Sequence, residues 1–364
     1  MSLFLCKNIF NKRLKGIFKD AFHRIYIKGG QVVLNEINSF NKVLEFISQD
    51  IRVLLESIPD DAKSRIEEIR LRNKSPLSIY LDGKDYFIGE DSDLTEKIDD
   101  GYLVKDEDII NSFQLITNHS IYAFSEDIRK GYITITGGHR VGLGGKVVYD
   151  KNGIEMINSI SSLNIRIARQ KKGISNHIIP YILNNNRDIY NTLIISPPQC
   201  GKTTLLRDMI RNLSNGKENS YRGFKISLID ERSEIAGLYE GSPQMDVGIR
   251  TDVLDGCLKS DGIMIVIRAM SPDIIAVDEI GGDSDIRSIH EALRAGIRLI
   301  ATIHGYGLDD IRHRLNLNSL IQDNVFQRYI ILDRSQGVGT IRHILEGRFL
   351  KDIYKRKRSL DGNY

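Results

Sequence analysis

The 364-residue chain has no tryptophan and only three cysteines, Cys6, Cys200 and Cys257. An odd set of widely spaced thiols gives no disulfide framework and fits a reducing compartment. No stretch reaches about 18 consecutive apolar residues, so no membrane-spanning helix is expected. Neither sign of charge dominates: 51 Lys+Arg face 48 Asp+Glu, a formal net charge of +3. The absence of tryptophan and of a central basic stripe argues against the basic groove and stacking aromatics of a single-strand nucleic-acid binder. It also has no internal repeat and no low-complexity tract. The remainder is 41% apolar and 27% charged, ordinary for a globular protein whose length suits two domains. The expected compartment is the cytoplasm.

The ends are more basic than the middle. Residues 1–30 carry Lys7, Lys12, Arg13, Lys15, Lys19, Arg24 and Lys28 against one acid, Asp20, with phenylalanines and isoleucines interleaved at near-helical spacing. This segment, grouped as an extension over residues 1–35, reads either as an amphipathic stretch on an anionic membrane or as a partner-docked extension. Its apolar core is too interrupted for a secretory signal. Residues 351–364 read as a solvated basic tail.

The strongest motif is Ser196-Pro197-Pro198-Gln199-Cys200-Gly201-Lys202-Thr203-Thr204. It lies between an apolar run, Thr192-Leu193-Ile194-Ile195, and a helical pattern that begins at Leu205. A strand, a tight loop and a helix opening on Gly-Lys-Thr form a P-loop. The helix start presents unpaired N–H groups and a positive dipole end to the phosphates of ATP. Lys202 is expected to neutralise phosphate charge, and the Thr203 hydroxyl to ligate Mg²⁺. Ser196 stands where the general motif opens with glycine. Downstream, Ile274-Ile275-Ala276-Val277 runs into Asp278-Glu279, expected on a strand next to the P-loop strand. Asp278 would hold Mg²⁺ and Glu279 would polarise the attacking water.

Residues 36–172 read as an α+β domain and 173–350 as an α/β domain, alternating strands and helices around a mostly parallel sheet. In the first, residues 39–57 have the spacing of one amphipathic helix, 66–72 and 77–81 alternate as strands, and 104–125 read as helical. Residues 132–136 form a strand entering a glycine-rich turn at 137–145 that places Arg140, with 147–149 as a hairpin partner. That glycine run is not a dinucleotide fingerprint, because no helix follows it. Residues 170–173 read as the linker. In the second domain, Asp230-Glu231-Arg232-Ser233-Glu234 ends a strand whose C-terminal edge it shares with Ser196 and Asp278. Glu231 and Glu234 either help place water or the metal shell, or form a surface turn with Arg232. Thr302 and His304 end another buried strand, where polar residues sense a γ-phosphate or simply satisfy hydrogen bonds.

These segments resemble the stage III sporulation protein AA ATPases. The resemblance rests on Ser196-Pro197-Pro198 with 200–208, on 230–237, 246–248 and 252–255, and on 270–272, 277–281 and 301–305. It reaches back to 68–72, 138–142 and 164–169, and so covers residues 40–350. Ser196 is the usual opening residue in such proteins. Gln199 departs from a more usual glycine, and Leu258 from proline. The resemblance implies a RecA-like P-loop domain, Mg-ATP hydrolysis and kinship with type II and type IV secretion ATPases, which work as hexameric rings at the cytoplasmic face of a membrane. It implies a homohexamer in the mother cell, peripheral to the membrane and partnered with membrane-embedded channel proteins facing the forespore. The acidic box would be 230–234 and the histidine box His304, while Arg140, Arg166 and Arg169 would be candidates to reach a neighbour's γ-phosphate. Two other classes stay open: a nucleic-acid-dependent P-loop ATPase, and an ATP-gated scaffold, which Glu279 argues against and Gln199 argues for.

Overall fold

The computed structural model describes residues 30–355 except 152, 186 and 187. The basic segment before residue 30 and most of the C-terminal tail lie outside the described residues. Two compact units divide between Arg169 and Gln170. No described helix is long and apolar enough to cross a membrane.

The first unit is a seven-stranded antiparallel sheet. Its strands are β1 (Ile66–Arg72), β2 (Ser78–Leu81), β3 (Lys84–Ile88), β4 (Leu94–Thr95), β5 (Tyr132–Ile135), β6 (His139–Asp150) and β7 (Gly153–Arg166). They lie in the order β4-β3-β2-β1-β7-β6-β5. Alternation sends Ile69, Leu71, Ile79, Val141, Leu163 and Ile165 into one core with the helical residues Phe40, Ile51, Leu55 and Ile109. A bulge between Ile66 and Glu68 explains why buried Ile66 and Ile69 are three apart.

Two expectations are corrected here. Residues 39–57 do not make one helix: Gly30–Leu44 ends, and Gln49–Glu56 begins after a turn. The apolar period persists through the break. At the turn, Ser48 leaves the helical path to bond Asp108 and Ser112, while Arg52 donates to the carbonyls of Glu45 and Ile47. Nor is the glycine run 137–145 a turn. Only residues 136–138 turn, and Gly142, Gly144 and Gly145 are interior to β6, which pairs with both β5 and β7. A Cβ at Gly145 would stand 2.6 Å from the Asn158 carbonyl, and one at Gly144 would overlap the Ser162 hydroxyl. The glycines therefore serve close strand approach at a bulge rather than a reversal. Residues 147–149 pair with β7 instead of β5.

The second unit holds a seven-stranded sheet of β8 (Thr192–Ser196), β9 (Ile226–Asp230), β12 (Thr251–Asp255), β13 (Ile274–Val277), β14 (Arg298–His304), β15 (Arg328–Asp333) and β16 (Thr340–Glu346). Two-residue strands β10 (Leu238–Tyr239) and β11 (Ser242–Pro243) form a separate hairpin. The order is β12-β9-β13-β14-β8-β15-β16, all parallel except β16. Ile194, Leu228, Ala276 and Ile300 point into one core and Ile195, Ile229, Val277 and Ala301 into another, so the central strands are apolar on both faces. The strand carrying Asp278 was expected beside the P-loop strand. Instead β14 lies between β13 and β8, which puts Thr302 and His304 in the gap that site side chains must span.

Candidate functional site

β8 ends at Ser196, and the helix Lys202–Asn215 starts after a five-residue loop that reverses through two left-handed residues, Gln199 (φ +57) and Gly201 (φ +86). A Cβ on Gly201 would meet Val338 Cγ1 at 3.2 Å and the Gly339 backbone at 3.4 Å, so glycine is required there for space as well as for conformation. Gln199 has no such freedom, and an L side chain in this region costs about 1–2 kcal/mol. The first turn of the helix leaves N–H groups without intrahelical partners, which suits an anion. Cys200 is buried beneath the loop, whereas Pro198 and Gln199 are exposed.

The helix is tied to the rest of the unit by two buried side chains. Arg207 donates to the carbonyls of Ile235 (2.5 Å) and Glu234 (2.6 Å), linking the P-loop helix to the loop after β9. Asp208 accepts from the Gly173 and Ser175 amides at 2.9 and 2.8 Å, anchoring the start of the unit. Burial raises the pKa of the Asp208 carboxyl, but those amides, with Ser175 and Arg211, outweigh it and hold it below the usual range.

The side chains that converge come from the start of the P-loop helix and from the ends of β9, β13 and β14. Lys202, itself buried, pairs with Glu279 and lies 3.9 Å from Asp278. Thr203 Oγ1 donates to Asp278 Oδ2 at 2.9 Å. Thr302, on the intervening strand, donates to the other Asp278 oxygen, and its hydroxyl accepts the Glu279 amide at 3.0 Å. That bond braces Glu279, which is left-handed at φ +56. His304 Nε2 lies 2.8 Å from Glu279 Oε1 and 3.4 Å from Lys202 Nζ. Arg232 closes the cluster at 2.8 Å from Glu279 Oε2. Burial raises the pKa of the Glu279 carboxyl, but the hydrogen bond and charge of Lys202, then Arg232 and His304, hold it below the ordinary carboxylate value.

The other candidates have partners of their own. Glu231 is engaged by Lys259. Asp230 accepts the amides of Glu234, Ile235 and Ala236 at 2.8–2.9 Å, shaping the acidic loop from beneath. Burial, with Asp255 nearby, raises its pKa to about 6 against those three donors. In the first unit, Arg140 stacks on the Tyr132 ring at 3.5 Å, Arg166 lies 3.6 Å from Glu68, and Arg169 donates to the Ile66 carbonyl at 2.6 Å. Two contacts were not expected from the sequence: Arg232 with Glu279, and Arg334, whose guanidinium donates to the Gln199 carbonyl at 2.7 Å. Arg232 sits inside a motif already singled out, but nothing local in the sequence marks Arg334.

The donor set is chemically consistent with nucleotide and Mg²⁺. A left-handed loop at a helix start, a buried ammonium and a hydroxyl–carboxylate pair suit a triphosphate with its cation.

Comparison with known proteins agrees with this architecture. The chain is 40% identical over 306 residues to stage III sporulation protein AA of Bacillus subtilis, covering 84% of this chain and 95% of that protein. The Yersinia pseudotuberculosis ATPase DotB is similar in structure, with a TM-score of 0.50 at 14% identity over 78% of this chain and 76% of that one. That likeness carries the fold: a RecA-like P-loop domain after a smaller α+β domain. The model of the family "Sporulation stage III, protein AA" matches residues 38–351, and the chain belongs to that family.

Proposed function

We propose that this protein is a Mg²⁺-dependent ATPase that assembles as a homohexameric ring and energises a membrane-embedded channel between mother cell and forespore. The observation that carries the enzymatic part is the convergence of Lys202, Thr203, Asp278, Glu279 and His304 at one sheet edge, beside a left-handed loop and a helix start. Lys202 would neutralise β- and γ-phosphate charge, while residues 196–204 would cradle the phosphates. Thr203 and Asp278 would hold Mg²⁺, which supplies charge neutralisation on the transferring phosphoryl group.

Glu279 would orient and polarise the attacking water once phosphate competes for its lysine. His304, within reach of both Lys202 and Glu279, is placed to sense that exchange. Arg140, Arg166 and Arg169 remain candidates for cations supplied to a neighbouring subunit, and Glu231 for a role in the acidic box. Family membership supports the sporulation setting; we place the protein in the mother-cell cytoplasm, peripheral to the membrane, with the basic residues 1–30 as the contact.

The test is steady-state turnover with Mg-ATP together with mass measurement. Hydrolysis accompanied by a six-subunit particle supports the proposal. A monomer at high concentration, or no turnover with ATP and Mg²⁺, removes the corresponding half.

A further inference from the structure

The P-loop backbone is held from outside its own motif. Arg334, at the end of β15, donates through Nη2 to the Gln199 main-chain carbonyl at 2.7 Å and to the Gln199 side-chain Oε1 at 3.2 Å. Its Nε reaches the same carbonyl at 3.3 Å. Two residues beyond Gly337, the Gly339 amide donates to the Cys200 carbonyl at 3.0 Å. Between them, Val338 stands against the bare Cα of Gly201. Three consecutive loop residues, 199 to 201, are thus each met by the turn joining β15 to β16.

That turn is ordered from within. Asp333 Oδ1 accepts the Ser335 amide and hydroxyl at 3.0 and 2.8 Å, the Gly337 amide donates to the Arg334 carbonyl at 3.0 Å, and Thr340 Oγ1 donates to the Gly337 carbonyl at 2.7 Å. A planar guanidinium that binds the backbone carbonyl and the side-chain oxygen of one residue fixes that residue's main-chain and side-chain conformation together. Gln199 needs such fixing, because its left-handed backbone is unfavourable for any residue but glycine.

We propose that Arg334 is a positioning residue for nucleotide: the β15–β16 turn clamps the phosphate-binding loop in its binding conformation and so lets a glutamine occupy position 199. The proposal rests on the reading of this loop as an ATP site. It makes Gln199 and Arg334 a coupled pair, in which the arginine is needed because the glycine is absent.

The experiment is calorimetric titration of Mg-ATP, with steady-state kinetics, on the full chain and on Arg334→Ala, Arg334→Lys and Arg334→Ala/Gln199→Gly. Arg334→Ala is expected to weaken ATP binding about tenfold, with the loss falling on KM more than on kcat. Arg334→Lys recovers only part, because a single ammonium cannot reproduce the planar fork. Adding Gln199→Gly to Arg334→Ala is expected to restore most of the binding, since glycine takes the left-handed conformation unaided. Unchanged affinity in Arg334→Ala overturns the proposal. So does weakened affinity that Gln199→Gly fails to restore in a variant that melts like the wild type, because the arginine would then act on something other than loop conformation. Failure of the wild type to bind Mg-ATP would instead remove the reading on which the proposal rests.

Discussion

Lys202 and Glu279, 77 residues apart in the chain, are each other's counter-ion. The pair joins the first residue of the P-loop helix to the residue after Asp278, and it sits in a cluster that His304 and Arg232 complete. A depressed carboxylate contributes stability that is present above its unfolded pKa and lost as pH falls through the folded one. With burial opposed mainly by Lys202, Glu279 stays ionised to lower pH than an ordinary glutamate. In Lys202→Met the Glu279 carboxyl should titrate at higher pH, read by carbon NMR of labelled glutamate. An unshifted titration would show that Arg232 and His304 suffice.

Thr302 braces both acidic residues from the intervening strand. Thr302→Val keeps the shape but removes a buried hydroxyl, leaving the Glu279 amide without that partner. The expected cost is about 1–3 kcal/mol, measured by urea unfolding, together with slower turnover because Glu279 loses the bond that holds its left-handed backbone. A variant as stable and active as wild type would count against this role.

His139 is fully buried at the start of β6, with Nδ1 accepting the Ala168 amide at 3.0 Å and Nε2 without a hydrogen-bond partner among the described residues. Burial, with the Lys42 charge, lowers its pKa from 6.5 to about 4. Between those values the unfolded chain binds a proton that the native unit does not. Stability is therefore full above pH 6.5 and falls on acidification toward pH 4, by about 3 kcal/mol. His139→Gln should flatten this part of the stability–pH curve, read by chemical unfolding at pH 4.5 and 7. An equally steep curve in the variant would assign the acid sensitivity to other groups.

Arg207 is buried, and burial lowers its pKa despite the nearby Asp230. Arg207→Met keeps much of the packing but leaves the Glu234 and Ile235 carbonyls without those donors. We expect a loss of about 2–4 kcal/mol and a looser acidic loop, seen as faster amide exchange at 234–236. Unchanged exchange there would show that Asp230 alone shapes the loop.

The sequence made some of these relationships legible and hid others. The strand, loop and helix around Lys202 were readable because an apolar run meets Gly-Lys-Thr within a few residues, and Asp278-Glu279 because two carboxylates end a run apolar on both faces. Strand order was not readable, since spacing along the chain does not say that β14 separates β8 from β13. The glycines at 142–145 looked like a turn because a glycine needed for close strand approach is identical in sequence to one needed for a reversal. The break near Ser48 was hidden because the apolar residues keep a helical period across it. Arg334 reaches Gln199 across 135 residues, a contact that no local pattern records.

The most direct test of the account is a comparison of Mg-ATP binding and turnover in wild type, Lys202→Ala and Glu279→Gln. The account predicts that Lys202→Ala loses ATP binding, while Glu279→Gln binds ATP and fails to hydrolyse it, with kcat lower by about a hundredfold or more. Equal turnover in all three proteins would contradict it.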